Sequence, residues 1–308
     1  MQSTMIDSAS TNSEPDWLDR AAYPFQHQYL ELPEGRIHYV DEGQGEPVVF
    51  VHGTPTWSFE FRHLIRAVRG THRAIALDHF GFGLSDRPEA FPYTPEAHAE
   101  VFAEFVERLG LTRFALVVHD IGGPIALPVA LERPERISRL VVMNSFMWPL
   151  DADKELAKNA RFAASELGRM LYRHVNASLR IVMPNAYFDR QKLTAEIHRQ
   201  YTSVFPDGEA RERVLWQLAR DLLDSGDHYA RLWQRREALR GFRRCSSGGC
   251  KITPLRPITC AAGSAPCPTP RPSTLATRGT GRTRNNRRSS RRRCSGSSRA
   301  QRSARLTV

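Results

Sequence analysis

Two short stretches of the sequence combine residue types that could carry out covalent catalysis. Residues 52–57 read His-Gly-Thr-Pro-Thr-Trp, and residues 119–123 read His-Asp-Ile-Gly-Gly. A carboxylate such as that of Asp120 can attack a saturated carbon and form an ester without first losing a proton to a base. Hydrolysis of that ester requires a base that activates water and N–H donors that stabilise the carbonyl oxygen. We therefore expect Asp120 to be a nucleophile, with the backbone N–H groups of Thr54 and Ile121 as its oxyanion hole.

Each stretch also has a simpler interpretation. An Asp before Gly-Gly is typical of an Asx turn or a helix N-cap, and a single His-Gly-Thr-Pro segment is typical of a turn. His119 is interpreted as a positioned core histidine rather than as a ligand. Trp57 and Trp148 fit either the core or the wall of a substrate pocket. The catalytic interpretation is favoured because each stretch directly follows an apolar run, and the two occur together.

The hydrophobic pattern around these stretches predicts alternating strands and helices. Alternating residues indicate a hairpin, continuous apolar runs indicate buried parallel strands, and helical spacing follows the candidate N-cap Thr94. The predicted strands are residues 27–31, 36–41, 47–51, 73–77, 114–118 and 137–143, and the predicted helices between them are residues 95–109 and 124–131. This order predicts an α/β fold with a mostly parallel sheet. Both chemical stretches then lie at carboxyl ends of strands, where ligands bind in such sheets.

The sequence around Asp120 fits a nucleophile elbow, in which a sharp turn joins a strand to a helix and exposes one reactive side chain. Small residues at 122 and 123 allow the helix to start close to the strand. No Gly-x-Ser-x-Gly sequence occurs in the chain, so the predicted nucleophile is a carboxylate rather than a serine hydroxyl.

The alternation of strands and helices stops after Asn144. Helical patterns cover residues 156–174, 192–205 and 209–223, and an amphipathic helix is predicted over residues 229–239. We therefore expect the first part of the α/β core over residues 1–147, a helical cap over 148–227 and a core helix over 228–242.

Charge and composition divide the chain near residue 242. Residues 243–308 carry 16 Lys and Arg, all five cysteines, no Asp or Glu and no aromatic residue, so their net charge is +16 against −5 for the rest. A hydrophobic content of 41% excludes a disordered, collagen-like or small disulfide-stapled protein as a whole. No apolar run is long enough to span a membrane, and residues 1–20 lack the apolar core of a signal peptide, which favours a cytoplasmic protein.

The body of the chain, about residues 23–240, resembles the haloalkane dehalogenase group of the α/β-hydrolases. Besides the two chemical stretches, the resemblance lies in residues 39–43 (Tyr-Val-Asp-Glu-Gly), 78–86 (Asp-His-Phe-Gly-Phe-Gly-Leu-Ser-Asp) and 143–149 (Met-Asn-Ser-Phe-Met-Trp-Pro). It implies an α/β-hydrolase fold with an inserted helical cap, Asp120 as the nucleophile, and a buried pocket for a small apolar substrate. Trp57 and Trp148 are the candidate pocket residues. No cofactor and no metal is implied.

The sequence departs from these dehalogenases at positions that serve the halide and the catalytic acid. Ile121 stands where the group usually has Trp, and Thr54 stands where Asn is common. Asn144 stands where one branch of the group carries a catalytic Glu, which argues for an acid after a later strand. Epoxide hydrolases and β-lactone decarboxylases share the elbow and remain alternatives to dehalogenation.

Residues 243–308 contain neither an acid nor a histidine, although the resemblance implies both in two further strands. In a frame that begins at the third base of each codon, residues 244–253 permit Val-Leu-Val-Trp-Gly-Met-Gln-Asp-His. In the same frame, residues 276–288 permit Asp-Ala-Gly-His-Trp-Pro-His-Glu-Glu-Gln-Pro-Glu-Glu. These segments resemble the strand that ends in the family's catalytic acid and the Gly-His segment that carries its base. We therefore hypothesise a frameshift near residues 240–243, with the lost Asp codon across Lys251 and Ile252 and the lost His codon across Gly279 and Thr280.

This hypothesis has consequences for activity. Because no histidine follows His228 and no acid follows Glu237, the chain as written is predicted to form the ester on Asp120 without sustained turnover. Residues 243–308 are predicted to form a disordered basic tail and the last strands of the sheet to be lost. The alternative from another class is a non-catalytic remnant. A charged tail binds acidic surfaces non-specifically, so no specific nucleic-acid or membrane partner is expected, and the sequence does not determine the oligomeric state.

Overall fold

The computed structural model describes residues 14–152, 154–187 and 189–242, which contain a six-stranded sheet and the helices that flank it. The strands are β1 (His27–Leu32), β2 (Gly35–Glu42), β3 (Pro47–Val51), β4 (Arg73–Leu77), β5 (Phe114–His119) and β6 (Ile137–Met143). All predictions about residues 243–308, including the lost strands and the disordered tail, lie outside the described residues.

The sheet has the strand order β1-β2-β4-β3-β5-β6. The pairs β1–β2 and β2–β4 are antiparallel, whereas β3–β4, β3–β5 and β5–β6 are parallel. This arrangement confirms the predicted α/β fold with a mostly parallel sheet. The pairing of β3 with β5 aligns Val51 with Val118, so the segments that follow these two strands leave the sheet side by side.

Burial along the strands explains their sequence patterns. The central strands β3, β4 and β5 are buried along almost their whole length, as their continuous apolar runs require. Strand β6 is the last strand of the sheet within the described residues, and its burial alternates, with Val141 41% exposed. The apolar run of β6 is therefore only partly covered by the described part of the chain.

The helices lie between and after the strands. The α-helices are α1 (Arg62–Val68), α2 (Pro95–Arg108), α3 (Gly122–Glu132), α4 (Lys154–Ala164), α5 (Glu166–Met170), α6 (Met183–Ala186), α7 (Ala195–Thr202), α8 (Gly208–Ala210), α9 (Gln217–Asp224) and α10 (Gly226–Gln234). Short 3-10 helices cover Ser58–Phe61, Pro134–Arg136, Leu150–Ala152, Arg190–Lys192 and Arg236–Gly241, and π-helical turns cover Leu171–Val175, Ser178–Val182 and Arg211–Trp216. Among the described residues, none of these helices combines the length and apolarity that crossing a membrane requires.

One predicted helix start is present in the structure, and one predicted helix is interrupted. Thr94 caps α2 as expected, since its hydroxyl accepts a hydrogen bond from the N–H of Ala97 at 3.2 Å. The helix predicted over 156–174 is interrupted, because Ser165 accepts a hydrogen bond from the N–H of Gly168 at 3.2 Å and so starts α5 as a new helix. The backbone then turns at Asn176, whose φ is +55°. Apolar spacing alone did not reveal the break at Ser165, whereas the turn at Asn176 lies beyond the predicted helix.

The described part of residues 148–227 contains helices and turns but no strand. Several of its apolar side chains share one hydrophobic cluster with the strands. The buried Gln200 of α7 forms two hydrogen bonds to distant residues: its backbone carbonyl accepts the Trp57 indole N–H at 3.0 Å, and its side-chain amide donates to the Trp17 carbonyl at 2.8 Å. The bond from Trp57 connects α7 to the segment that follows β3. The domain boundaries at 147, 227 and 242 stay predictions.

Candidate active site

Asp120 lies in the turn between the end of β5 and the start of α3. Its φ is +52°, a conformation that costs about 1–3 kcal/mol for a residue with a β-carbon. The turn is held by three hydrogen bonds. The Asp120 N–H donates to the Met143 carbonyl at 3.3 Å, and the Asp120 carbonyl accepts from the Ser145 hydroxyl at 2.6 Å and from the Gly123 N–H at 3.1 Å. The structure thus places Asp120 in the strand–turn–helix geometry of an elbow.

Two glycines make this geometry possible by allowing backbones to approach closely. A β-carbon on Gly122 would lie 2.4 Å from the Val51 carbonyl oxygen, so α3 could not start this near β3 with a larger residue. A β-carbon on Gly53 would lie 2.3 Å from the Asp120 β-carbon. The His-Gly segment after β3 therefore leaves room for the Asp120 carboxylate.

The two predicted N–H donors both act on the Asp120 carboxylate. The Thr54 N–H donates to Asp120 Oδ1 at 3.0 Å. Burial raises the pKa of Asp120, while the charge of His119 and the N–H groups of Ile121 and Thr54 oppose that rise. The Thr54 donor thus distinguishes Oδ1 of Asp120 from Oδ2.

His119 forms a close pair with Glu60, a residue that sequence reasoning missed. Glu60 belongs to the short helix Ser58–Phe61, and His119 Nδ1 lies 3.2 Å and 3.1 Å from its two carboxylate oxygens. Burial would lower the pKa of His119, but the charge and hydrogen bond of Glu60, together with the charge of Asp120, raise it to about 9. Burial opposes ionisation of Glu60, but His119 prevails and lowers the pKa of Glu60. The available signal was a charged residue between the aromatic residues Phe59 and Phe61.

The candidate pocket residues Trp57 and Trp148 lie in different surroundings. The Trp57 side chain has no exposed surface, and its ring packs 4.9 Å from that of Tyr23 and 5.8 Å from that of Trp17. Trp148 is partly buried, and its ring lies 5.8 Å from that of Trp233. The contacts of Trp57 are those of a core residue, and a pocket role for either tryptophan stays a prediction.

The charge of Asp120 affects the pKa values of two phenols in the helices after β6, the partly buried Tyr172 and the buried Tyr229. Burial, with a smaller contribution from Asp120, raises the pKa of Tyr172 to about 12. Burial also raises the pKa of Tyr229, with smaller contributions from Glu96, Asp221 and Asp120. The Tyr229 hydroxyl has no hydrogen-bond partner among the described residues. Both phenols are therefore protonated near Asp120 at neutral pH.

The site is an assembly of backbone donors and titratable side chains. Within residues 14–152, 154–187 and 189–242, no group of three or more His, Cys, Asp or Glu is arranged to hold a metal ion. The arrangement of Asp120, Thr54 and Ile121 is suited to covalent attack by a carboxylate.

Comparison with known proteins agrees with this geometry. The pattern of the alpha/beta hydrolase fold family matches residues 46–239. Haloalkane dehalogenase 2 of Mycobacterium tuberculosis is 37% identical over 214 residues, which are 70% of this chain and 73% of that protein. A cis-3-alkyl-4-alkyloxetan-2-one decarboxylase of Shewanella oneidensis is 37% identical over 186 residues, which are 59% of this chain and 58% of that protein.

Solved structures give the same result. The crystal structure of the haloalkane dehalogenase DatA from Agrobacterium tumefaciens superimposes with a TM-score of 0.61 at 25% identity, covering 69% of this chain and 74% of that one. The family pattern, the relatives and the strand–turn–helix around Asp120 agree, and the chain belongs to the α/β-hydrolase fold family, with haloalkane dehalogenases among its relatives.

Proposed function

We propose that the chain carries out the first half-reaction of a haloalkane dehalogenase on a small apolar substrate. Asp120 Oδ2 attacks an alkyl carbon, a carbon–oxygen bond forms, and the carbon–halogen bond breaks with its electron pair leaving on the halide. Oδ1 becomes the carbonyl oxygen of the ester. The observation that carries this proposal is the Thr54 N–H, which already donates to Oδ1 at 3.0 Å and can hold that oxygen throughout.

The second half-reaction needs a base that this chain does not place at Asp120 within the described residues. His119 lies next to the nucleophile, but with a pKa of about 9 it is protonated at neutral pH and cannot accept a proton from water. Burial lowers the pKa of His79 far below its ordinary value, and the ring nitrogen Nε2 of His79 faces the His52 carbonyl oxygen at 3.1 Å. We therefore propose that the ester persists and that each chain releases one halide.

Intact-mass spectrometry of the chain incubated with 1-bromobutane tests both parts of the proposal. We expect the mass of one butyl group to appear on the chain, together with one bromide released per chain. The adduct should map to the peptide that contains Asp120. The Asp120→Asn variant is the matched control and should give no adduct. An adduct of equal yield on this variant would contradict the assignment, and sustained bromide release would contradict the missing base.

The loss of the base is tested separately at the level of the gene. We propose that the DNA across codons 235–290 contains the reading-frame shift inferred above. A protein expressed from the restored frame should release bromide over many turnovers, whereas the chain as written should stop after one. Equal behaviour of the two proteins would contradict the frameshift account. A chain that forms no adduct at all would support the non-catalytic remnant.

Epoxide hydrolysis is the second candidate, and Tyr172 is the observation that favours it. Ring opening of an epoxide leaves an alkoxide, which must gain a proton, and a buried phenol with a pKa of about 12 is protonated and able to donate one at neutral pH. With 1,2-epoxybutane, Tyr172→Phe should suppress adduct formation if this candidate holds. The same variant should still react with 1-bromobutane, because a halide leaves without protonation. β-Lactone decarboxylation, suggested by the Shewanella oneidensis relative, is tested by product analysis with an alkyl β-lactone.

A further inference from the structure

Two charged side chains, Glu60 and His119, lie beside the candidate nucleophile Asp120. Glu60 contacts His119 through both carboxylate oxygens, and His119 directly precedes Asp120. The contact between Glu60 and His119 joins the segment after β3 to the end of β5, and the two residues are 59 positions apart in the sequence. Glu60 is also largely buried, with 12% of its side chain exposed. A carboxylate this deep in the protein normally needs a cationic partner, and His119 fills that role.

The residue types of this pair are those of a base oriented by an acid, but its charge state excludes that role at neutral pH. An imidazole that serves as a base must be neutral before it accepts a proton. His119 contacts the Glu60 carboxylate, and the charges of Glu60 and Asp120 both favour the protonated form of His119. It is therefore a cation beside the nucleophile.

Apart from Arg62, the other titratable groups around the pair carry no charge at neutral pH. Burial lowers the pKa of His52 at the end of β3, so its ring is neutral. Burial also raises the pKa values of Tyr172 and Tyr229, to which the charge of Asp120 contributes, and of Tyr187 and Tyr201, to which the charge of Glu60 contributes, so all four phenols are protonated. The charge of Arg62 opposes the rise in the pKa values of Tyr187 and Tyr201. The charged side chains that act on the pKa of Asp120 are His119, which lowers it, and Glu60, which raises it.

We propose that Glu60 and His119 are positioning residues, with Glu60 holding His119 protonated so that its imidazolium keeps Asp120 in the anionic, nucleophilic form. The inference rests on the proposed function, since it assigns these residues to the attack by Asp120. Neither residue exchanges a proton or a bond with the substrate. They act by increasing the fraction of Asp120 that is ionised at a given pH.

The test is the pH dependence of butyl-adduct formation with 1-bromobutane. The rate should rise with pH as Asp120 ionises, and His119→Gln should move the midpoint of that rise upward by at least one pH unit. Below the midpoint, the variant should therefore react at least about tenfold more slowly than the unaltered chain, and it should recover at high pH. His119→Lys, which retains a cation, should restore the lower midpoint. His63→Gln, at an exposed histidine of α1, is the control and should leave the profile unchanged.

A second measurement does not depend on reaction. Nuclear magnetic resonance of the histidine rings should show His119 titrating near pH 9 in the unaltered chain and at least one unit lower in Glu60→Gln. The carboxyl carbon of Asp120 should titrate at a higher pH in His119→Gln than in the unaltered chain.

The outcomes separate the inference from the proposed function. If the adduct forms with the same pH profile in His119→Gln, the inference is wrong and the proposed function stands. If the unaltered chain forms no adduct, the proposed function fails, and the Asp120 titration still decides the inference: an unchanged Asp120 pKa in His119→Gln overturns it. If His119→Gln does not fold, Glu60→Gln decides through the His119 titration, and an unchanged titration overturns the role of Glu60.

Discussion

Two neighbouring turns of this molecule share an unusual backbone geometry but have different surroundings. Asp120 follows β5 with a φ of +52°, and Asn144 follows β6 with a φ of +40°. The Asp120 turn follows β5, which pairs with β3 on one side and with β6 on the other. Both the carbonyl and the carboxylate of Asp120 accept hydrogen bonds. Asn144 is exposed and follows the last strand of the described sheet. The comparison shows that a left-handed turn after a strand does not make a reactive site by itself. The segments that follow the neighbouring strands supply the hydrogen-bond donors and the charged side chain that act at Asp120.

The second turn also supports the first. The Met143 carbonyl accepts the Asp120 N–H, and the Ser145 hydroxyl donates to the Asp120 carbonyl. Residues on both sides of Asn144 therefore fix the backbone of Asp120. The asymmetry between a reactive turn and a supporting turn can be tested by substitution.

The largest expected effect is on the reactive side chain. Asp120→Ala should abolish adduct formation with 1-bromobutane, because it removes the carboxylate that the Thr54 N–H holds. Asn144→Ala should leave the rate within roughly a factor of two, since the exposed Asn144 is replaced while the hydrogen bonds of Met143 and Ser145 to Asp120 remain. Mass spectrometry of the two variants in parallel makes the comparison. Equal losses in both would show that the two turns do not differ in role.

The next effect concerns the close approach of α3 to β3. Gly122→Ala should lower the free energy of unfolding by about 2–4 kcal/mol, because the new methyl group would lie 2.4 Å from the Val51 carbonyl oxygen. Gly226→Ala at the start of α10 is the control, since a methyl group there meets no atom within 4 Å and a helix favours Ala over Gly. Urea denaturation should show the loss for Gly122→Ala and an unchanged or slightly raised stability for Gly226→Ala. Similar stabilities would contradict the crowding at the elbow.

The charged pair behind the elbow predicts a pH dependence of stability. The pKa of His119 is raised from 6.5 in the unfolded chain to about 9 in the folded one, so the folded state binds the proton more tightly. This contribution is fully present below pH 6.5 and is lost as the pH rises through 9, and we expect it to amount to about 1–3 kcal/mol. The unfolding free energy of the unaltered chain should therefore fall across that range relative to His119→Gln. Parallel pH curves for the two proteins would show that the pair contributes nothing to folding.

The smallest expected effect comes from the supporting turn. Ser145→Ala removes the hydrogen bond to the Asp120 carbonyl and should cost about 1 kcal/mol of stability. Adduct formation should slow by less than tenfold, because the Thr54 and Ile121 N–H groups remain. A rate equal to that of Asp120→Ala would mean that Ser145 does more than support the turn.

The sequence was sufficient for the sheet and for the elbow, and the reasons are local. The strands β3, β4 and β5 are continuous apolar runs, which a buried parallel sheet requires, and Asp120 sits between such a run and Gly-Gly. Once these strands are taken to be parallel, Thr54 and Ile121 follow as the donors nearest to Asp120. The strand and elbow inferences depend on residues within a few positions of one another, and the Thr54 inference adds only the side-by-side pairing of β3 with β5.

The interactions that sequence reasoning missed join distant segments. The contact of Glu60 with His119 depends on the pairing of β3 with β5 and on a short 3-10 helix, which no periodicity in residues 58–61 indicates. The break at Ser165 was missed because the helical spacing of apolar residues continues on both sides of it. The approach of Tyr172 to Asp120 depends on how the helices after β6 fold back, which a pattern of apolar residues does not determine.

The hydrogen bond from Thr54 has a stereochemical consequence. A free carboxylate has two equivalent oxygens, but in this fold one is tethered and the other is not, so the symmetry of Asp120 is broken before any substrate arrives. In the proposed displacement, backside attack inverts the configuration of the carbon, and the tethered carboxylate sets the direction of that attack. The two enantiomers of a secondary alkyl halide would then place different substituents next to the same residues. The hydrogen bond from Thr54 thereby gives a handedness to the attack by a carboxylate whose two oxygens are equivalent in solution.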